Sequence, residues 1–135
     1  MNTTVYSRIY AGLLEIIPDL PTVKQGDYRC SNVSGSMALG LDVLYSSKTE
    51  VHLELAHHFE QNGVLVPDPD MEICVYLVSG AEALMFHNQS GFRYVYGEGE
   101  VDVRAQKSLN EFLHIWLVSL KQQGHCLINI ERSAA

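Results

Sequence analysis

The chain has few cations, no paired cysteine spacing and no long apolar run. Lys and Arg number 9 against 16 Asp and Glu, for a formal net charge of −7. Such a surface repels a phosphate backbone, and no local Lys/Arg stripe offsets it, so nucleic acid is not the expected partner. The 3 cysteines, Cys30, Cys74 and Cys126, are far apart and form no C-x-x-C. That excludes a disulfide frame and a zinc knuckle and reads as reduced thiols in a cytoplasm. No apolar run approaches the ~18 residues a membrane helix needs. The N-terminal stretch has only Arg8 as a cation and is broken by Pro18, which argues against a secretory signal. Walker, G-x-S-x-G and H-E-x-x-H motifs are missing, and "GEGE" lacks the third glycine and the strand-to-helix setting of a dinucleotide loop. With no cofactor motif, no cofactor is expected.

What is present is a change of period. At the start, Tyr6, Ile9, Tyr10, Leu13, Leu14 and Ile17 recur at helical spacing, with Thr3 or Thr4 as cap and Pro18 as stop. Residues 19–35 are polar and rich in turn formers, with a weak strand signal near Tyr28. Period 2 then takes over. Met37, Leu39, Leu41, Val43 and Tyr45 fall on one side of "SMALGLDVLY". Val51, Leu53 and Leu55 alternate with His52, Glu54 and Ala56, and Met71, Ile73, Val75 and Leu77 alternate with Glu72, Cys74 and Tyr76. Such alternation predicts antiparallel strands with one buried face. Turns are expected at Ser46-Ser47, Ser79-Gly80 and between Asn88 and Gly91. The strands from Ala81 and Phe92 are apolar on both sides and read as covered on both. "EQNGVLVPDPD" reads as a long loop.

The helical period returns with Leu109, Phe112, Leu113, Trp116, Leu117 and Leu120, closed by Gly124, and Cys126, Ile128 and Ile130 suggest a short last strand. Neither helix buries its stripe alone. The expected fold is therefore α+β, one domain over residues 1–135. It is a two-layer sandwich in which an antiparallel sheet of five or six strands carries the N-terminal and C-terminal helices on one face.

Three stretches resemble the YqiB-like proteins of proteobacteria, a family of unknown function. They are "YAGLLEIIPDL", "PDMEICVY" and "NEFLHIWLVSLKQQG", in which Asn110, Phe112, Leu113, Trp116, Leu117 and Gly124 fall as in that family. The chain departs from the pattern at Cys74, where the family commonly has Arg, and at Leu77 and Val78, where it has His-Asp. The family's aromatic-Pro-Asn step near residues 95–97 is missing too. The resemblance implies a cytosolic bacterial protein and carries over no reaction, cofactor or catalytic residue.

The stretch that looks most like chemistry is "HLELAHH", residues 52–58. On a strand His52, Glu54 and His58 share one face and His57 points with the leucines. A divalent transition metal on His52, Glu54 and His58 is one expectation, although zinc needs three convergent donors and the third here is a pleat away. Cys74 beside Tyr76, with His52 or His58 across the sheet, is the one catalytic arrangement that can be drawn. The mixed face carrying Asp42, Cys74 and Tyr76 otherwise reads as an interaction surface. The leading expectation is a non-enzymatic interaction or adaptor domain binding a protein partner or a second copy of itself, with no membrane role. The rivals are a metal-binding protein or metal-dependent enzyme, a dimer similar in outline to type III secretion chaperones, and a small-ligand pocket between the sheet and the loop at residues 60–70.

Overall fold

The computed structural model describes residues 4–77 and 79–128. Helix α1 (Val5–Ile16) starts where the Thr4 hydroxyl accepts the Ser7 N–H at 3.2 Å, satisfying one of the donors a helix start leaves open. It buries Ile9, Leu13 and Ile16. A short 3-10 turn (Leu20–Thr22) leads to the sheet. The strands are β1 (Tyr28–Ser31), β2 (Leu39–Ser46), β3 (Glu50–Gln61), β4 (Val64–Tyr76), β5 (Gly80–Asn88) and β6 (Gly91–Tyr94). Each pairs antiparallel with its neighbour in the chain, so the sheet order is β1-β2-β3-β4-β5-β6. A small hairpin, β7 (Tyr96–Gly97) and β8 (Glu100–Val101), precedes helix α2 (Val103–Gln123). Asp102 caps α2 through the Ala105 N–H, and Gly124, at φ 94°, ends it in the left-handed conformation that a side chain disfavours.

Both helices lie on the face defined by Leu41, Val43, Leu53, Leu55, Ile73 and Val75, all buried with Ile9, Leu13, Leu113 and Leu117 in one cluster. Each fully buried side chain of this size contributes about 1.5–3 kcal/mol of transfer free energy, the main force holding the layers together. The helices touch each other at Gly12, where an added Cβ would sit 3.2 Å from the Cβ of Leu117. The two-layer α+β sandwich expected from the period change is therefore the observed fold. Among the described residues no helix is long and apolar enough to cross a membrane.

Four local expectations need correction. Residues 60–70 are not a loop: β3 and β4 continue through them and meet at a tight turn on Asn62 (φ 53°) and Gly63 (φ 80°), the pair of positive φ values that Asn-Gly suits. The pocket drawn beneath a loop there has no loop to form it. Tyr45 leaves the leucine face, because the pairing of β2 with β3 shifts between Val43 and Tyr45. The strand from Phe92 is not doubly covered: β6 is exposed along its length, with Phe92 and Tyr94 more than half exposed. Finally, residues 125–128 follow no strand, although the Leu127 N–H bonds the Ile16 carbonyl at 2.7 Å. Ile130 lies outside the described residues.

Candidate functional site

The face of the sheet turned away from the helices is built by strand alternation and three bulges. In β2, Val43 opposes Leu53 but Tyr45 opposes His52, so Leu44 is an extra residue and Tyr45 turns outward. In β4, Ala56 opposes Asp70 but His58 opposes Pro67, which leaves two residues, Asp68 and Pro69, facing one. A bulge accommodates a proline that cannot donate to the ladder. In β5, Glu72 opposes Met85 but Ile73 opposes Ala83, so Leu84 is extra. Met85 is thereby outward and Phe86 inward, where its ring meets Phe112 edge-on at 5.4 Å. The apolar residues on both sides of this segment reflect that switch.

The resulting outer face has a cross-strand row of Tyr28, Asp42, Glu54, Glu72, Met85 and Tyr94. Below it run Ala56, Asp70, His87 and Phe92, and above it His52, Cys74 and Glu82. The His87 and Phe92 rings stack at 3.8 Å, and Phe92 stacks on Tyr94 at 5.9 Å. Carboxylates therefore occupy the centre and aromatic rings the two edges. Among the described residues no lysine or arginine falls at an outward position of β2 to β5.

Burial and crowding perturb the central acids. Burial, and then the neighbouring Asp70 carboxyl, push Glu54 up to about 7. Asp70 is raised mainly by burial, and Asp42 is raised for the same reason. Asp70 Oδ1 is buried without a hydrogen-bond partner. Two adjacent carboxyls cannot both ionise cheaply, so this pair keeps a proton close to neutrality. A raised carboxyl pKa stabilises the fold fully below the unfolded value and loses that contribution as pH rises through the folded one. Asp70→Asn removes one charge and supplies an amide that can donate to Glu54. It should therefore raise the urea midpoint at about pH 8 and leave it nearly unchanged near pH 4. The gain is on the order of 1 kcal/mol or less, because both groups are partly exposed and solvent screens them. An Asp70→Asn variant no more stable than wild type at pH 8 would contradict this.

Above this row lies a second polar group. His52 Nε2 is 3.2 Å from Glu50 Oε1, and the Cys74 thiol donates to the same oxygen at 3.5 Å. His52 and Cys74 are direct cross-strand partners, and Glu50 is two residues from His52 on the same face. Tyr45 meets the His52 ring edge-on at 5.4 Å. Cys74 is buried, and burial pushes its thiol up to about 11. A thiol so raised, facing a carboxylate, is a poor nucleophile near neutrality. The chain of contacts continues through Tyr76, whose hydroxyl donates to Glu82 at 2.6 Å, to Tyr96, which donates to the other Glu82 oxygen. Glu82 thereby raises the pKa of both phenols, Tyr96 to about 12. Glu82, Tyr76 and Tyr96, with Tyr6, Gly80 and Gln106, line a cleft of about 400 Å³ at the end of the sheet.

The sequence-predicted residues thus separate. His52, Glu54 and His58 do share the outer face and His57 does point inward, its ring against Trp116 at 5.5 Å. The structure brings His52 together with Glu50 and Cys74, however, and not with Glu54 and His58. Asp42, Cys74 and Tyr76 all belong to the outer face, but Cys74 is only 2% exposed and lies beneath that surface. Glu50, Asp70 and Glu82 are not singled out by the sequence. Glu50 was within reach, because counting back two residues from His52 places it on the same face.

The model of a family described as a domain of unknown function (DUF6908) matches residues 11–126. No curated protein and no solved structure matches the chain. None of these comparisons links it to the YqiB-like proteins.

Proposed function

Because the chain belongs to this DUF6908 family, whose description names no activity, we propose a function from the surface itself: a non-enzymatic interaction domain whose open sheet face receives a basic protein segment. The observation that carries it is the outer face, acidic through Asp42, Glu54, Asp70 and Glu72 and edged by the exposed rings of Tyr28, Phe92 and Tyr94. Carboxylates attract Lys and Arg, and exposed rings add cation–π contact of about 0.5–1 kcal/mol each. A second copy would instead bring its own carboxylates against these, which favours a basic partner over a face-to-face dimer. The free thiols Cys30, Cys74 and Cys126 suit a reducing cytoplasm.

The test uses a defined probe. A Lys/Arg-rich peptide of about ten residues should bind with an affinity that falls as salt rises, whereas a Glu-rich peptide of equal length should not bind. Charge reversal at Asp42 and Glu72 should weaken binding at least about tenfold. Binding indifferent to salt and to those reversals would overturn the reading. So would a stable dimer in sedimentation that the same reversals leave intact.

A further inference from the structure

We propose that Glu50, His52 and Cys74 form a binding site for a divalent transition ion, with zinc as the best fit. The donor set is right for that chemistry: one imidazole nitrogen, one thiolate sulfur and one carboxylate oxygen. Calcium and magnesium, which take oxygen ligands, fit it poorly.

The separations fit as well. A tetrahedral zinc with bonds of about 2.0 Å to oxygen and nitrogen and about 2.3 Å to sulfur sets its oxygen and nitrogen ligands ~3.3 Å apart and its oxygen and sulfur ligands ~3.5 Å apart. Glu50 Oε1 stands 3.2 Å from His52 Nε2 and 3.5 Å from Cys74 Sγ. All three donor atoms lie within 4.8 Å of one another. An ion would replace the two hydrogen bonds, with the partly exposed His52 side chain turning to bring its nitrogen to the ~3.5 Å from sulfur that two ligands of one zinc require.

The scaffold favours this use. His52 and Cys74 are fixed opposite each other on two central strands, so their spacing does not depend on a loop. The sulfur lies under the surface, whereas the side chains of His52 and Glu50 remain 38% and 40% exposed. The outward side is thus open to a water or a further ligand, as in sites where three protein groups hold zinc. On binding, the Cys74 S–H bond breaks, a zinc–sulfur bond forms and the proton leaves to solvent. The site depends on these three groups and not on the acidic row below them.

Metal titration of the purified protein, stripped with chelator, tests this. Zinc alone should bind at one equivalent with a Kd of about 1 μM or tighter, in competition with a chromophoric chelator. Cobalt(II) should give thiolate-to-metal charge-transfer absorption with the visible bands of a tetrahedral site. Cys74→Ser should abolish the charge-transfer band, and His52→Ala should weaken zinc at least about tenfold. Glu50→Gln, at a partly exposed position where folding is not at stake, should weaken zinc likewise. His58→Ala, Cys30→Ser and Cys126→Ser should leave both readouts unchanged. The proposal fails if cobalt gives no thiolate band, if the band survives Cys74→Ser, or if Glu50→Gln binds zinc as tightly as wild type.

Discussion

Arg29→Ala should lower folding stability by about 2–3 kcal/mol, because it opens a void, leaves a buried carbonyl unpaired and removes an ion pair whose Asp19 side is 42% exposed and screened by solvent. Arg29 sits on the helix-side face of edge strand β1 and is 1% exposed. Its guanidinium donates to both carboxylate oxygens of Asp19, at 2.6 and 2.9 Å, and to the Leu127 carbonyl at 2.7 Å. One side chain thereby ties together the end of the first helical segment, the first strand and the chain after α2. Alanine would leave the Leu127 carbonyl without its donor and a void where the aliphatic stem packs. Lysine should restore little, because a point charge cannot repeat the two-pronged contact. The Arg29 hydrogen bonds hold the Asp19 carboxyl below its ordinary pKa. A depressed carboxylate stabilises the fold above its unfolded pKa and loses that contribution as pH falls through the folded value. The gap between wild type and Arg29→Ala should accordingly narrow below about pH 4. Urea melts across pH measure both effects, and a loss under about 1 kcal/mol at pH 7 would falsify this account.

Asn110→Ala should cost about 2–3 kcal/mol. Asn110 is buried in α2, where its side-chain oxygen accepts the Ala83 N–H at 2.8 Å and its amide donates to the Gln106 carbonyl at 2.7 Å. β6 pairs with β5 only from Met85 to Asn88, so the Ala83 donor lies beyond the reach of that ladder. The helix supplies the acceptor that the sheet does not. Alanine leaves the buried donor unpaired, at about 1–3 kcal/mol, and removes packing besides. Amide exchange at Ala83 gives a local check: it should quicken by more than the global loss of stability explains. Equal change at Ala83 and at central β3 amides would argue that Asn110 only fills space.

The fold was legible because its main signals are periods, and periods survive without knowledge of tertiary contacts. Leu53 and Leu55 alternate with His52 and Glu54 whatever their neighbours do, and Leu113 and Leu117 mark a helix face. The site was less legible because its assembly depends on register. Counted from the Asn62-Gly63 turn alone, His52 would oppose Ile73, since Gln61 opposes Val64. The two-residue bulge at Asp68 and Pro69 shifts the pairing by one and sets His52 against Cys74. Alternation alone puts Cys74 and His52 on one face, but spacing within "HLELAHH" cannot choose His52 over His58 as the partner of Cys74, because that choice depends on the register the bulge sets. The prolines that suggested a loop were the sign of the bulge. Tyr45 was misplaced for the same reason, because nothing in "DVLYSS" marks Leu44 as the extra residue.

The strand order has a kinetic consequence. Since every strand of the six-stranded sheet pairs with its neighbour in the chain, each pairing closes only a short loop and loses little entropy doing so. The contact of α1 with α2 is different: it joins two segments separated by the whole sheet, at a spot where Gly12 lets the helices approach closely. Local pairings are rewarded early on the folding path and distant ones late. The sheet is thus the part of the molecule that can assemble progressively, and the joining of the two helices across it is the step that completes the native state.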